Sequence, residues 1–269
     1  MSIASRQALT DWSGVVHTRA RGNVRIASLV PSITETLFAL DLAESIVART
    51  GFCVHPREKV RAVAKIGGTK DPDLERLRAL VPTHLIVNVD ENRREDVDKA
   101  RAFVPHIVVT HPMTPDDNAR LVGLLGAVFD RDEIADDLVR ATKTSLAALD
   151  AAAQTLPRER VLYLIWRKPW MSVARDTYVS ATLERAGWDT LPAHAPKRYP
   201  ELRDDDSAWR DADRVLLSTE PYAFRERDAT ALAAVTGKRV HLIDGEWTSW
   251  YGARAALGFR SLAEFRSRL

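Results

Sequence analysis

The chain has 269 residues, 45% of them hydrophobic and 28% charged, enough for one large α/β domain or for two lobes each with its own core. Its 39 Lys+Arg against 37 Asp+Glu leave a formal charge of +2, evenly spread, which argues against nucleic acid or an anionic membrane as partner. The single cysteine, Cys53, excludes an intrachain disulfide, and no apolar run nears the ~18 residues of a membrane span.

Residues 1–24 read as an N-terminal arm. They lack the apolar stretch of ~7–15 residues of a secretory signal, so the chain as given is expected in the cytoplasm, or in the periplasm if a leader precedes it. From Arg25 onward, short β-branched runs alternate with helical patterns: RIASLV then SITETLFAL, THLIVNV then NRREDVDKARAF, HIVVT then PDDNARLVGLLGAVF. This alternation marks βα units and a parallel sheet, and it defines a first lobe over 25–129. Ser32 followed by Glu35 three residues later reads as a capping box; the helix N-terminus either serves that local purpose or attracts an anionic ligand edge.

The segment DRDEIADDLVRATKTSLAALDAAAQTLPRER follows, with Asp130 placed to cap, acids in its first turns, no internal Gly or Pro, and Pro157 as a stop. It predicts one backbone helix over 130–156, about 39 Å long at 1.5 Å per residue. Alternation restarts in RVLYLIW, TYVSATLERAG, DRVLLST, ERDATALAAVTG and RVHLID, giving a second lobe over 157–269. The expected fold class is therefore α/β: two Rossmann-like lobes with parallel sheets on a single stiff helix, leaving a cleft at the carboxyl ends of the strands.

Polar loops begin where the strands end: NVDENRRE, IWRKPW, STEPYAFRER and DGEWTSWYG. They carry Asp90, Glu91, Arg93, Arg167, Glu220, Tyr222, Arg225, Glu246 and Trp250, a set suited to a ligand bearing amides or carboxylates. No G-x-S-x-G, P-loop or H-E-x-x-H motif is present, so an enzyme using Glu91 and Glu220 with Arg167 and Tyr222 ranks below a binding protein.

The stretches RIASLVPSITETLFAL, KIGGTKDPDLERLRALVPTHLIVN, the long middle helix and HLIDGEWTSWYGARAALGF together resemble the helical-backbone substrate-binding proteins of ABC importers, most of all the cobalamin-binding branch. The resemblance runs from about Arg25 to the C-terminus. It implies capture of a metal-containing macrocycle or chelate, with a corrinoid favoured over heme or a ferric siderophore, and no cofactor beyond that ligand. Phe52 falls where the family has a pocket tyrosine, and Tyr199 where it has a tryptophan. Trp170 and Met171 fall in a loop expected to line the cleft. Thr69 and Asn88 stand where the family has tryptophans, making the pocket more polar.

The resemblance also implies docking of Glu75 and Asp205 to a membrane permease, one acid per lobe, by a protein expected to be a monomer. A cytosolic carrier or sensor reusing the fold is the alternative. Cys53 and His55 are too few for a closed zinc site; either one reads as an axial ligand to a macrocycle-held metal, or the segment is a turn around a semi-buried thiol. His84 and His106 read as structural, with His111 open.

Overall fold

In the computed structural model, which describes residues 9–269, the apolar runs become strands of two sheets, and the chain divides into two compact units. Unit 1 comprises the chain up to Pro112 with Asp116–Ala141 and Tyr251–Arg254; unit 2 comprises Met113–Pro115, Thr142–Trp250 and Ala255–Leu269. Of the arm expected over 1–24, residues 1–8 lie outside the described residues.

Unit 1 contains β1 (Ile26–Ser28), α1 (Pro31–Ala39), β2 (Ile46–Arg49), β3 (Ala64–Lys65), α2 (Leu74–Ala79), β4 (His84–Asn88), α3 (Arg94–Ala100), β5 (His106–Thr110) and α4 (Asp117–Val128). Among the described residues the strands are all parallel in the order β3-β2-β1-β4-β5. Side chains alternate across the sheet: Leu85, Val87 and Ile107 pack with Leu77, Val97 and Ala100, while Ile86 and Val108 are buried on the other face. The strand order reverses direction between β1 and β4, which places the switch point of this α/β unit at their carboxyl ends.

Two expectations about helix ends are corrected. Ser32 does not cap α1: Val30 is the N-cap, Pro31 opens the helix, and Glu35 is taken by a bidentate pair with Arg254 at 2.7 Å on both oxygens. Asp130 does not start the long helix, which runs as α5 (Asp132–Gln154). Asp130 instead adopts a left-handed φ of 56° at the end of α4, with the Arg131 N–H donating to the Gly126 carbonyl at 2.8 Å, a Schellman-type stop. Local carboxylate chemistry suited either end, and the backbone turn decided for the earlier helix.

Asp11 and Trp12 lie beside β5, whereas Ala20 N–H donates to the Val128 carbonyl at 2.7 Å at the end of α4. Trp12 N–H donates to the Val109 carbonyl at 3.1 Å, and Asp11 accepts the Val109 N–H at 3.0 Å, so the outer edge of the last strand is covered. At the other end of the sequence, Gly252 N–H donates to Asn118 Oδ1 at 2.6 Å and Ala253 N–H to Thr36 Oγ1 at 3.0 Å. Gly252 has φ +80°, and a Cβ there would meet Thr36 Oγ1 at 2.1 Å. Gly252→Ala is therefore expected to cost about 2–3 kcal/mol through left-handed strain plus overpacking, read from a thermal melt.

Unit 2 contains β6 (Glu159–Trp166), β7 (Trp170–Ser172), α6 (Tyr178–Arg185), β8 (Trp188–Leu191), β9 (Glu201–Leu202), α7 (Ser207–Asp211), β10 (Arg214–Ser218), α8 (Glu226–Thr236), β11 (Arg239–Ile243), α9 (Glu246–Ser249) and α10 (Ala255–Ser267). Its sheet runs β11-β10-β6-β7-β9, with β8 also beside β6; β8, β10 and β11 are parallel to the β6 direction, whereas β7 runs antiparallel to both β6 and β9. One face packs Tyr163, Trp188 and Phe259; the other packs Leu162, Leu164, Leu217 and Phe224. Gly237 ends α8 in the left-handed conformation at φ 66°.

Candidate functional site

The carboxyl ends of the parallel strands collect the polar loops in each unit. In unit 1, β2 leads into Thr50–His55, β3 into Gly67–Lys70, β4 into Val89–Asn92 and β5 into His111. Asn88 is buried and holds the turn after β4: its Oδ1 accepts the Asp90 N–H at 2.8 Å and the Glu91 N–H at 3.3 Å. Asn92 answers from the far side, its Oδ1 accepting the Asn88 N–H at 2.8 Å and its Nδ2 donating to the Thr69 carbonyl at 3.0 Å. Asn88 thus shapes the loop, and what it presents is Asp90 and Glu91.

Asp90 lies 3.5 Å from His111 Nε2, and Lys70 donates to its carbonyl. The Tyr251 hydroxyl donates to Glu91 Oε1 at 2.5 Å. Burial, and then the Glu91 charge, raise the Tyr251 hydroxyl well above the ordinary tyrosine range, so it stays a donor.

Cys53 is 1% exposed, with its sulfur contacted by the Thr34 hydroxyl at 3.0 Å and the Thr50 hydroxyl at 3.3 Å. Burial raises its pKa, and a protonated, enclosed thiol is a poor metal ligand. Of the Cys53–His55 pair, only His55 is half-buried rather than enclosed. Phe52, one residue earlier, is 63% exposed. His84 and His106 stack at 4.8 Å where β4 and β5 begin, at the opposite edge of the sheet. A cavity of about 960 Å³ also lies at that edge, lined by Arg19, Thr83, His84 and His106 among others.

In unit 2, β6 ends at Trp166, β10 leads into Thr219–Tyr222 and β11 into Asp244–Glu246. Trp166 is 40% exposed and meets Tyr222 edge-on at 5.4 Å. Arg167 pairs with Asp228 at 3.2 Å and lies 5.5 Å from the Trp170 ring. The loop expected at Trp170 and Met171 is strand β7, and Trp170 packs flat on Phe224 and edge-on against Trp209. Tyr199 is 38% exposed, in the segment before β9 held by Ala174 N–H on the Arg198 carbonyl at 2.8 Å.

Glu220 follows β10. Its Oε1 accepts from Ser249 Oγ at 2.7 Å and from Trp250 Nε1 at 2.8 Å, and Trp250 is itself buried. Burial raises the Glu220 pKa, with Glu246 and Asp244 adding to the shift and the two hydrogen bonds opposing it. Glu246 opens α9, its N–H donating to Asp244 Oδ1 at 3.0 Å. Arg93 and Arg225 stand exposed immediately before α3 and α8.

Sequence reasoning missed Trp166 and Asn92. Trp166 falls both in the apolar run RVLYLIW and in the strand-end loop IWRKPW without being singled out, and its place as the last residue of β6 is the signal that finds it. Glu75, in the first turn of α2, is exposed, and Asp205 is 80% exposed with Arg203 3.5 Å away.

A family model described as periplasmic binding protein matches residues 26–231. A vitamin B12-binding protein of Vibrio parahaemolyticus is 24% identical over 233 residues, covering 87% of this chain and 78% of the relative. The periplasmic heme-binding protein RhuT from Roseiflexus sp. RS-1, in apo form, is similar in fold at a TM-score of 0.78 and 22% identity, over 92% of this chain and 99% of its own. The periplasmic vitamin B12-binding protein BtuF of Vibrio cholerae gives 0.77 and 18%, over 91% and 98%.

Proposed function

We infer the function from one premise: this chain belongs to the periplasmic binding protein family, whose model spans residues 26–231. It acts as the substrate-binding protein of an ABC importer, capturing a metal-containing macrocycle, with a corrinoid first and heme second. It performs no chemistry on its ligand. Support comes from the relative that binds vitamin B12 and from neighbours whose names give vitamin B12 and heme.

The observation that carries the reading to a flat ligand is the aromatic surface left open at the carboxyl edges of the sheets, Phe52 in unit 1 and Trp166 in unit 2. Rings at 63% and 40% exposure leave apolar surface in water that a flat macrocycle would cover. Unit 2 offers Tyr199 and Met171 as further contacts, with the carboxylates of Glu220 and Glu246 for a polar rim; unit 1, taken by itself, offers those of Asp90 and Glu91. His55 is the candidate axial donor to the bound metal. Glu75 and Asp205 dock the permease, worth ~0–1 kcal/mol each as exposed pairs. Capture takes place in the periplasm, as for the two structural neighbours, and host-cell fractionation checks this.

The deciding experiment is a titration of the purified protein with cyanocobalamin, hemin and a ferric siderophore, followed by visible absorption and tryptophan fluorescence. A spectral shift with quenching by cyanocobalamin is expected; silence with all three overturns the reading. Trp166→Ala is expected to weaken binding by about 1–3 kcal/mol, with a smaller loss of stability from its edge-on contact with Tyr222. Trp170→Ala is expected to act on stability instead.

A further inference from the structure

Glu220 carries an asymmetry that folding does not require. Both protein donors, Ser249 Oγ and Trp250 Nε1, converge on Oε1. Oε2 accepts no hydrogen bond from any described residue, and because no buried side-chain oxygen is left without a partner, Oε2 reaches solvent. The carboxylate is therefore fixed by one oxygen and presented by the other.

The seat is built for it. Gly245 packs so closely that a Cβ there would meet Glu220 Cγ at 2.4 Å and Ser218 Oγ at 2.5 Å, so any larger residue would push the side chain out of place. Ser218 Oγ in turn donates to the Glu220 carbonyl at 2.6 Å, fixing the backbone beneath. Its charged neighbours in the fold are the carboxylates of Glu246 and Asp244, and the guanidinium of Arg167 is engaged by Asp228. Tyr222, two residues along, stands against the exposed Trp166 ring.

We propose that Glu220 is the specificity-determining residue of unit 2, its Oε2 accepting a hydrogen bond from an N–H on the rim of a flat ligand, so that a macrocycle with primary-amide side chains is selected over one with carboxylates. This rests on the reading above and deepens it. A carboxylate oxygen facing an amide N–H gains a charge-assisted hydrogen bond. Facing a ligand carboxylate, it meets like charge, to which the Glu246 and Asp244 carboxylates add, and this works against that ligand as a site built with an opposing group does. The two ligand classes found among the relatives and neighbours differ in this respect: cobalamin carries primary amides and heme carries propionate carboxylates.

The test compares cyanocobalamin with hemin, and with cobyrinic acid, whose corrin ring bears carboxylates in place of the amides, in the wild-type protein and in Glu220→Gln. Glutamine keeps a carbonyl oxygen for Ser249 and Trp250 and turns an amide N–H₂ outward. Cyanocobalamin affinity is expected to fall about tenfold or more, while cobyrinic acid affinity holds or rises, so that the ratio of the two moves by more than tenfold. Ser249→Ala, which loosens the anchor without altering the carboxylate, is expected to lower cyanocobalamin affinity by a smaller factor with an unchanged melting temperature. If wild type binds cyanocobalamin and the ratio in Glu220→Gln stays within twofold, the inference is overturned and the binding reading survives. Preference of the wild type for cobyrinic acid or hemin also overturns it. If wild type binds none of the ligands, the underlying reading fails first.

Discussion

Glu159→Ala is expected to lower the stability of unit 2 by about 3–5 kcal/mol, the cost of leaving buried charge without its partner. Glu159 opens β6 and faces five donors. Oε1 accepts from Arg214 Nη2 at 3.1 Å and Arg239 Nη2 at 2.9 Å; Oε2 accepts from Arg214 Nε at 3.2 Å and Trp188 Nε1 at 3.1 Å and lies 3.1 Å from Arg266 Nη1. Arg214 and Arg266 are 1% and 3% exposed. Burial alone would raise the Glu159 pKa, yet the bonds from Arg214 and Trp188 and the charges of Arg214 and Arg266 hold it below the ordinary value. Without this carboxylate, two enclosed guanidiniums repel each other where β6, β8, β10 and α10 meet. Urea unfolding at neutral pH reads the effect. A loss under about 1 kcal/mol would mean that the arginines find water, and the buried-pair account would be wrong.

Asp11→Ala is expected to cost unit 1 about 2–4 kcal/mol, because it leaves several enclosed donors without their acceptor. The Asp11 side chain is fully enclosed and accepts from Ser13 N and Oγ, Val15 N and Val109 N, with His17 Nε2 at 3.0 Å. Burial works to raise its pKa, but the His17, Val109 and Ser13 hydrogen bonds win and bring it down to about 2 from 3.8. The sign follows from linkage: the folded value is depressed, so this stability is fully present above pH ~4 and is lost as pH falls toward ~2, amounting to about 2 kcal/mol at 1.36 kcal/mol per pH unit. Asp11→Asn should flatten that acid limb. The alanine variant should also self-associate, since the outer edge of β5 loses its cover; a monodisperse variant with wild-type acid stability would contradict both expectations.

The long apolar runs made the parallel strands β1, β4, β5, β6, β10 and β11 legible, because burial on both faces writes near-continuous Val, Leu and Ile into the chain. β2, β3, β7, β8 and β9 carry no such run and owe their strand state to neighbours rather than to any periodicity of their own. The same distinction runs through the site. Loops at strand ends were found from polarity alone, but which side chains face outward was not. Cys53 and Trp250 turned inward to Thr34 and Glu220, partners 19 and 30 residues away, while Trp166, written into an apolar run, stands exposed. Ser32 followed by Glu35 looks like a local cap, and it took coordinates to see that Arg254, 219 residues from Glu35, claims the glutamate.

That last pairing has a consequence for how the protein is made. Glu35, Thr36, Asn118 and Glu91 each accept a hydrogen bond from the segment Tyr251–Arg254, so the N-terminal half emerges from the ribosome before these contacts can form. Its final shape is set only when all but the last fifteen residues of the chain have been synthesised. Vectorial synthesis cannot finish the first half before the second, and a gene fragment stopped near Ala141 should yield a species that is soft to proteases however well its sheet has formed.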